Sequence, residues 1–299
     1  MPGRASPIAR MARCLCGIAL SLAAGQAAAQ AWLPPQGELD FSVQLGDSLA
    51  ANHYGPDGEK VDVGHTRMRV FSVGVNYSPS DRWMLAAELP YVMGRYHGPR
   101  PHPTEVDDSH EHGTFTDLTL AAHFQLLRDP IAIAPFLAVH FPTHDYETLG
   151  HAAPGRGLEE LWVGTYVGAS LYPWLPRAYL QGRLSYAFVE KVLGVSHDRG
   201  NIDLELGYYL SRKVAVSALA SWQDTDGGIR VPVPPSSPYF LYHDQLGSET
   251  YLRVGGSIGW SISPEFGLYS TYMTSLSGTN GHELTHGVTV GFNYRPTAL

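Results

Sequence analysis

The sequence has little cysteine: Cys14 and Cys16 are its only two among 299 residues. Both lie in an N-terminal segment that reads as a secretory signal, with arginines at its start, an apolar stretch over 15–24 and small residues after it. Cleavage is predicted after Ala29 or after Ala31. The mature chain would then hold no cysteine, which excludes disulfides and thiolate metal sites.

Lysine, charge and long apolar runs are also scarce. Charged residues make up 16% of the chain, against about 25% in soluble domains. Mean hydropathy is −0.12, and no stretch after the signal reaches the ~18 apolar residues of a spanning helix. Without the three arginines of the signal, 17 basic residues face 28 acidic ones, a net charge of −11. These values exclude a helical membrane protein and argue against nucleic acid as a partner.

What the chain has instead is alternation of apolar and polar side chains in segments of about ten residues. In the first segment Leu39, Phe41 and Val43 share one face, and Asp40 and Ser42 share the other. A period of two is typical of strands with one apolar and one polar face. We predict twelve such strands: 38–49, 68–78, 83–93, 116–127, 131–142, 160–172, 178–189, 201–211, 214–222, 250–261, 267–275 and 285–294. The weakest are 131–142, which is apolar on both faces, and 267–275, which is short.

The connections between these strands alternate between short and long. Tight turns rich in Pro, Asp, Ser and Arg are predicted at 79–82, 128–130, 173–177, 212–213 and 264–265. Longer loops are predicted at 50–67, 94–115, 143–159, 190–200, 223–249 and 276–284. Alternation of this kind is typical of outer-membrane barrels, with short turns on the periplasmic side.

The sequence therefore predicts an all-β fold: a transmembrane antiparallel up-and-down β-barrel of about 12 strands in the outer membrane of a Gram-negative bacterium. Residues 1–31 are assigned to the signal peptide and 32–299 to the barrel. The few mature residues before Glu38 are expected to be too short to occlude it. Tryptophans near strand ends are expected in aromatic girdles: Trp83, Trp162, Trp174, Trp222 and Trp260. A β-sandwich is disfavoured because the second face of nearly every strand is polar.

Four short motifs carry a resemblance to a known family. They are Leu89-Pro90-Tyr91-Val92, Gly113 with Asp117-Leu118, Phe141-Pro142-Thr143, and the run from His286 to Tyr294. On these motifs the chain resembles the outer-membrane transporters associated with the meta-cleavage pathway of phenol degradation. The resemblance implies a barrel of about 12 strands that passes small, often aromatic or apolar, compounds.

By strand parity, a set of polar residues is expected to face the lumen as a solute path: Asp40, Gln44, Glu88, Asp117, His123, Gln125, His140, Arg183, Asp203, Glu205 and Arg253. Acids on some walls and arginines on others would create a transverse field that orients a polar solute. The alternative is that these groups pair across the lumen and close it.

Two loops and one strand motif have their own hypotheses. Histidines and acids in the second loop could hold Zn²⁺ or Cu²⁺, or could simply be solvated: His97, His102, Asp107, Asp108, His110, Glu111 and His112. The proline-rich fifth loop carries Tyr239, Phe240 and Tyr242, which either gate the mouth or pack on the surface. Gly255 to Gly259 matches a hydrolase elbow, but it lies inside a strand and not at a strand–helix corner.

The function predicted from the sequence is a monomeric channel that passes small aromatic or hydrophobic solutes by passive diffusion. No enzymatic activity, cofactor or specific metal site is assigned. The expected partners are outer-membrane lipid and lipopolysaccharide, the solute and the barrel-assembly machinery. The alternative is a barrel that does not transport, and whose histidine-rich loops bind metal or a partner.

Overall fold

The computed structural model describes residues 30–99 and 104–296. Of the predicted signal peptide, only its last two residues fall in that range. The strands in the described ranges are β1 Leu39–Tyr54, β2 Lys60–Val61, β3 His65–Ser80, β4 Trp83–His97, β5 His112–Phe115, β6 Asp117–Phe124, β7 Ile131–Pro142, β8 Glu160–Ser170, β9 Ala178–Val189, β10 His197–Tyr209, β11 Val214–Gly227, β12 Thr250–Ser261, β13 Phe266–Thr279 and β14 Gly281–Tyr294.

The sheet closes on itself. Apart from the short strands β2 and β5, each strand pairs antiparallel with the next along the chain, and β14 returns to pair with β1 from Phe41↔Tyr294 to Tyr54↔Gly281. Twelve strands make the wall, because β2 only extends the tip of β1 and β5 continues into β6 against β4. Closure leaves no sheet edge unpaired, as a lipid environment requires. The predicted twelve-stranded antiparallel barrel is confirmed.

The two faces of the wall differ as the alternation predicts. Along β1, the side chains of Phe41 and Leu45 are 44% and 58% exposed, whereas that of Asp40, the residue before Phe41, is 5% exposed. The same pattern of exposed Leu, Val, Ile and aromatic side chains recurs around the barrel. An apolar outer surface of this extent is stable only against lipid.

The strand ends differ from the predicted ones mainly on the side of the long loops. Strands 131–142, 178–189 and 250–261 were placed correctly. The prediction of a loop at 276–284 is wrong. Strand β13 extends to Thr279 and β14 begins at Gly281, so the connection is Asn280 alone, with a φ of 52°. The motif Ser277-Gly278-Thr279-Asn280-Gly281 reads as turn chemistry, but in the fold most of it extends the ladder.

Residues 30–36, here called the plug segment, run from inside the barrel at Ala31 to its periplasmic rim, where Gln36 is exposed. Ala31 and Leu33 are completely buried, in a cluster with the inward side chains of β4, β7 and β8. The backbone N–H of Leu33 donates to Gln125 Oε1 over 2.7 Å, and Gln125 Nε2 donates back to the Ala31 carbonyl over 2.9 Å. From the sequence these residues are expected to be too short to occlude the barrel; the structure places Ala31 and Leu33 against its inner wall.

The long loops fold together at the opposite, outer mouth. A 3₁₀ helix over Glu105–Asp107 lies in the loop after β4, and the loop after β11 contains a 3₁₀ helix, Phe240–Tyr242, followed by the short helix α1, His243–Leu246. Gln245 Nε2 donates to the carbonyl of Arg156 in the β7–β8 loop over 2.7 Å. Across the described ranges, no helix is both long and apolar enough to cross a membrane.

Candidate functional site in the barrel lumen

The inner end of the lumen is apolar on one side. The even-numbered residues of β7 point inward, and Ala132, Ala134 and Phe136 pack against the plug segment. Arg128 donates to the Leu33 carbonyl over 3.1 Å and helps to fix the segment there. This contact explains why β7 is apolar on both faces: one face meets lipid and the other meets the plug.

His123 belongs to this apolar side although the sequence placed it among the polar lumenal groups. It is buried on the inner wall, with its ring 5.6 Å from Phe136 and 5.5 Å from Tyr166 between centroids. Gln125, two residues on, holds the plug backbone. Both residues therefore shape the lumen's inner end through packing and backbone contacts.

The charged side of the lumen runs along β8 to β12. Arg183 binds Asp203 directly opposite it in the β9–β10 register, with Nη2 2.6 Å from Oδ2. Glu205 accepts hydrogen bonds from Tyr179 at 2.6 Å and from Gln181 at 2.8 Å. These groups pair with neighbours along the wall.

A second set of charges lies above these, nearer the outer mouth. Arg199 on β10 forms an ion pair with Glu160 on β8. Glu249 lies between Arg156 at 3.6 Å and Arg253 at 3.8 Å, and the Arg253 guanidinium stacks 3.7 Å above the Tyr251 ring. Arg156, Arg199 and Glu160 were not among the predicted lumenal residues. Strand parity places Glu160 inward on β8, and it places Arg199 inward once β10 is extended to His197; Arg156 lies in the β7–β8 loop, where parity gives no signal.

Trp162 is the aromatic centre of this charged wall. Its indole N–H donates to Glu160 over 2.8 Å, and its ring faces the guanidinium carbons of Arg183 at 5.7 Å and Arg199 at 5.8 Å. The His140 ring lies 5.3 Å away. The assignment of Trp162 to a lipid-facing girdle is wrong because its neighbours on β8, Leu161 and Val163, are the exposed ones.

The other four tryptophans do lie on the outside. Trp83 and Trp260 are 46% and 50% exposed near strand ends, Trp222 is 37% exposed within β11, and Trp174 is exposed in the turn after β8. Amphipathic rings at these levels are typical of membrane–water interfaces. Parity separates them from Trp162, so the correct assignment was available from the sequence.

The outer part of the lumen is narrowed by the β7–β8 loop. Tyr146 in that loop donates to Asp117 over 2.6 Å and accepts from the Gly157 N–H at 2.9 Å. Burial, together with the neighbouring Asp117 carboxylate, raises the pKa of the Tyr146 phenol, so it stays a neutral donor. His140 shares a 2.9 Å hydrogen bond with Thr119 on the adjacent strand.

Three predicted path residues lie elsewhere on the inner face. Asp40 is held at the periplasmic end by Arg295, with 2.9 Å between Nε and Oδ2. Gln44 and Glu88 are half-buried on β1 and β4, on the wall away from the arginines. The lumenal arginines thus lie on β9, β10 and β12, and each is close to a carboxylate on the same side of the lumen. The transverse field expected from the sequence stays a prediction.

Solved structures with this architecture come from outer membranes. The chain is similar to the COG4313 outer membrane channel from Pseudomonas putida F1, with a TM-score of 0.70 and 12% identity over 89% of this chain and 98% of that one. It is also similar to the β domain of the Bordetella autotransporter BrkA, with a TM-score of 0.51 and 10% identity over 87% and 99% of the two chains. The NanC porin has a TM-score of 0.50 and 9% identity over 85% and 98%. The chain has the fold of an outer-membrane β-barrel.

No model of a known protein family matches the sequence, and a search of curated proteins finds no relative. At 12% identity and below, the likeness shows the fold: a closed antiparallel barrel of the outer-membrane type. What the barrel carries must be argued from its own residues.

The second-loop residues considered as metal ligands form no group compact enough for an ion within the described ranges, although His110 and His112 both contact Asp108. Asp108 accepts a hydrogen bond from His112 at 2.8 Å and lies 3.3 Å from His110. The His112 hydrogen bond, with help from His110, lowers the pKa of the half-buried Asp108 carboxyl to about 2. Glu111 pairs instead with Arg69, and Asp107 turns inward to the β7–β8 loop. His97 lies next to His65 across β3–β4, and His102 lies outside the described residues.

The three residues predicted as a gate stand at the outer mouth. Tyr239, Phe240 and Tyr242 are half-buried, and the Phe240 carbonyl accepts from His243 Nδ1 at 2.6 Å. The side chains that this loop buries completely or nearly so come just after them, at Gln245 and Leu246. The gate residues therefore sit on a turn that is anchored below by α1.

Proposed function

We propose that this barrel is a passive channel for small aromatic or hydrophobic solutes. The observation that carries the proposal is the position of Trp162 on the inner wall, next to His140 and between the guanidinium groups of Arg183 and Arg199. An aromatic ring stacks on indole, and a carboxylate or phenolate on that ring is attracted by the arginines. A wall of this kind favours small aromatic acids and phenols.

The apolar patch at the inner end supports the same class of solute. Phe136, Tyr166 and Met84 surround the plug segment and would offer an apolar surface to a solute wherever that segment moves aside. The resemblance to transporters of phenol degradation, drawn from the strand motifs, favours aromatic compounds too. The protein from Pseudomonas putida F1 is itself described as an outer membrane channel.

We propose no catalytic activity for the barrel. Ser257, the serine of the elbow-like motif, lies within strand β12 and hydrogen-bonds Ser217 on β11 at 2.8 Å. A nucleophilic serine needs a base oriented toward it at a corner of the fold. The position of Ser257 within a paired ladder supports a role in packing.

The test is single-channel conductance of the refolded mature barrel in planar bilayers. We expect discrete open steps that benzoate blocks at concentrations where acetate, an anion of equal charge without a ring, has no effect. Equal block by both anions would contradict aromatic selectivity. A folded barrel that shows no conductance, and no uptake of a neutral aromatic into liposomes, would contradict transport and favour the non-transporting alternative.

A further inference from the structure

Four side chains that are far apart in the sequence meet at the outer mouth. His53 is near the end of β1, His282 is at the start of β14, His151 is in the β7–β8 loop and Asp244 is in α1. One nitrogen or oxygen atom from each lies within 4.8 Å of the other three. Within the described ranges, no other group of three or more His, Asp or Glu side chains is close enough to share one metal ion.

The fold fixes two of these ligands on the rigid wall. His53 and His282 are register partners in the β1–β14 pair that closes the barrel, and their ring centroids lie 4.1 Å apart. Sites on strands hold their geometry better than sites on free loops. The wall thus supplies a preformed pair of imidazoles.

The other two ligands are brought in by the loops. His151 Nδ1 lies 3.1 Å from Asp244 Oδ2, and the His151 ring centroid is 4.8 Å from that of His53. Adjacent ligand atoms of a tetrahedral zinc ion are about 3.3 Å apart, given bonds of about 2.0–2.1 Å. One pair already has that spacing, and the remaining atoms need to move inward by about an ångström.

The loop that carries His151 is held in place by groups behind it. Asp107 accepts from the backbone N–H of His151 at 3.2 Å and of Ala152 at 3.0 Å. The Tyr96 ring packs 4.7 Å from the imidazole of His151. Outer contacts of this type orient ligands at metal sites. They are also what turns Asp107 away from the second loop's own histidines.

Burial sets this group apart from the solvated histidines of the second loop. The His151 side chain is 3% exposed and that of Asp244 is 13%, whereas that of His110 is 82% exposed. His282 Nε2 is buried and makes no hydrogen bond within the described part of the chain. A buried imidazole nitrogen without a hydrogen-bond partner is costly unless something binds it.

We propose that His53, His151, Asp244 and His282 form a binding site for Zn²⁺ at the outer mouth of the barrel. Three imidazole nitrogens and one carboxylate oxygen suit zinc, whereas Mg²⁺ and Ca²⁺ prefer all-oxygen sites. The bound ion would tie the β7–β8 loop and α1 to the β1–β14 seam. Zinc would thereby hold two loops over the entrance, in a role separate from the passage of solutes.

The experiment is isothermal titration of metal-free, full-length mature barrel in detergent with zinc chloride alone. We expect one zinc per chain, and roughly a 100-fold or greater loss of affinity in His282→Ala and in Asp244→Asn. Asp244→Asn nearly conserves shape and lies in a loop, so it folds even where a change at the strand end does not. The matched control is the double variant His110→Ala with His112→Ala, which should bind zinc as the unaltered protein does.

Cobalt provides a second readout that reports geometry. Co²⁺ in the metal-free protein should give the intense visible absorption of a four-coordinate site, and both site variants should lose it. Absence of stoichiometric zinc binding would overturn the proposal. Binding that survives in Asp244→Asn and His282→Ala but disappears in the His110/His112 control would overturn it as well and would restore the second-loop site. Neither result depends on whether the barrel conducts.

Discussion

Gln125 makes two hydrogen bonds to the plug backbone inside the barrel: its side-chain oxygen accepts from the Leu33 N–H at 2.7 Å, and its side-chain nitrogen donates to the Ala31 carbonyl at 2.9 Å. A single side chain thus satisfies a donor and an acceptor of the plug backbone, as two paired strand residues would. Buried backbone groups require such partners. The plug segment is therefore a built part of the lumen.

Displacing the plug segment should open the channel. In Leu33→Asp, a carboxylate would replace a fully buried leucine, at a cost of several kcal/mol that the segment avoids by leaving the lumen. We expect single-channel conductance to rise several-fold. Gln36→Asp, an exposed position of the same segment, is the control and should conduct as the unaltered barrel does. Equal conductance in Leu33→Asp and the unaltered barrel would show that the segment does not limit flow.

Removal of the Trp162 ring should weaken block by aromatic acids. In Trp162→Leu the stacking surface is lost while Arg183 and Arg199 remain, so benzoate block should weaken by about tenfold, which corresponds to about 1.4 kcal/mol. Trp222→Leu, on the lipid face of β11, is the matched control. The measurement is the benzoate concentration that halves the current. Similar values for both variants would remove Trp162 from the solute path.

The sequence is enough to predict the strands of the barrel wall, but it predicts the contacts inside the lumen only in part. Alternation with period two holds in nearly every strand because lipid and water select opposite faces, so the number of strands and the positions of most strand ends at the short turns follow from it. Strand β7 departs from that rule. Its inward alanines and Phe136 are apolar since they meet the plug segment, and that contact depends on a tertiary fold that local periodicity does not encode.

The proposed zinc ligands at the outer mouth were not predicted from the sequence, for a different reason. His53 and His282 face each other only because the first and last strands close the barrel and because β1 and β14 extend beyond their predicted ends. His151 and Asp244 then arrive from two separate loops. These four residues are too far apart in the sequence for their spacing to predict a metal site. Extending the closing pair in register would have placed His53 opposite His282, and that is the one signal the sequence offered.

Breaking the ion pair of Arg183 with Asp203 should change both stability and ion selectivity. In Asp203→Asn the guanidinium of Arg183 keeps its charge in the lumen without the carboxylate that it binds at 2.6 Å. We expect the reversal potential in a salt gradient to shift toward anions. The free energy of unfolding in urea should fall by about 1–3 kcal/mol, less than for a fully buried pair because water reaches both groups.

The double variant Arg183→Gln with Asp203→Asn is the control for this pair. Removing both charges leaves no unpaired ion, so it should recover most of the lost stability and return the selectivity toward that of the unaltered barrel. A double variant as unstable as the sum of the two single ones would show that the two groups do not act as a pair.

Shortening the fifth loop tests the predicted gate. Replacement of 232–242 by a short Gly-Ser linker removes Tyr239, Phe240 and Tyr242 but keeps α1 and its Gln245 contact with Arg156. If these half-buried aromatics narrow the mouth, conductance should rise and brief closures should become rarer. Unaltered current traces would identify the segment as surface packing. Replacement of the exposed turn 191–194 by a linker of equal length is the control.

The plug contacts also favour one of the two cleavage sites predicted from the sequence. Ala31 is completely buried, its carbonyl accepts from Gln125, and its backbone N–H lies 3.5 Å from Gln181 Oε1. Cleavage after Ala31 would remove these contacts and place the new ammonium group of Trp32 inside an apolar cluster, which is unfavourable. Cleavage after Ala29 leaves one residue before Ala31 and keeps every contact. We therefore expect intact-mass measurement of the barrel from outer membranes to show a chain that begins at Gln30; a chain that begins at Trp32 would mean that the plug is anchored by Leu33 alone.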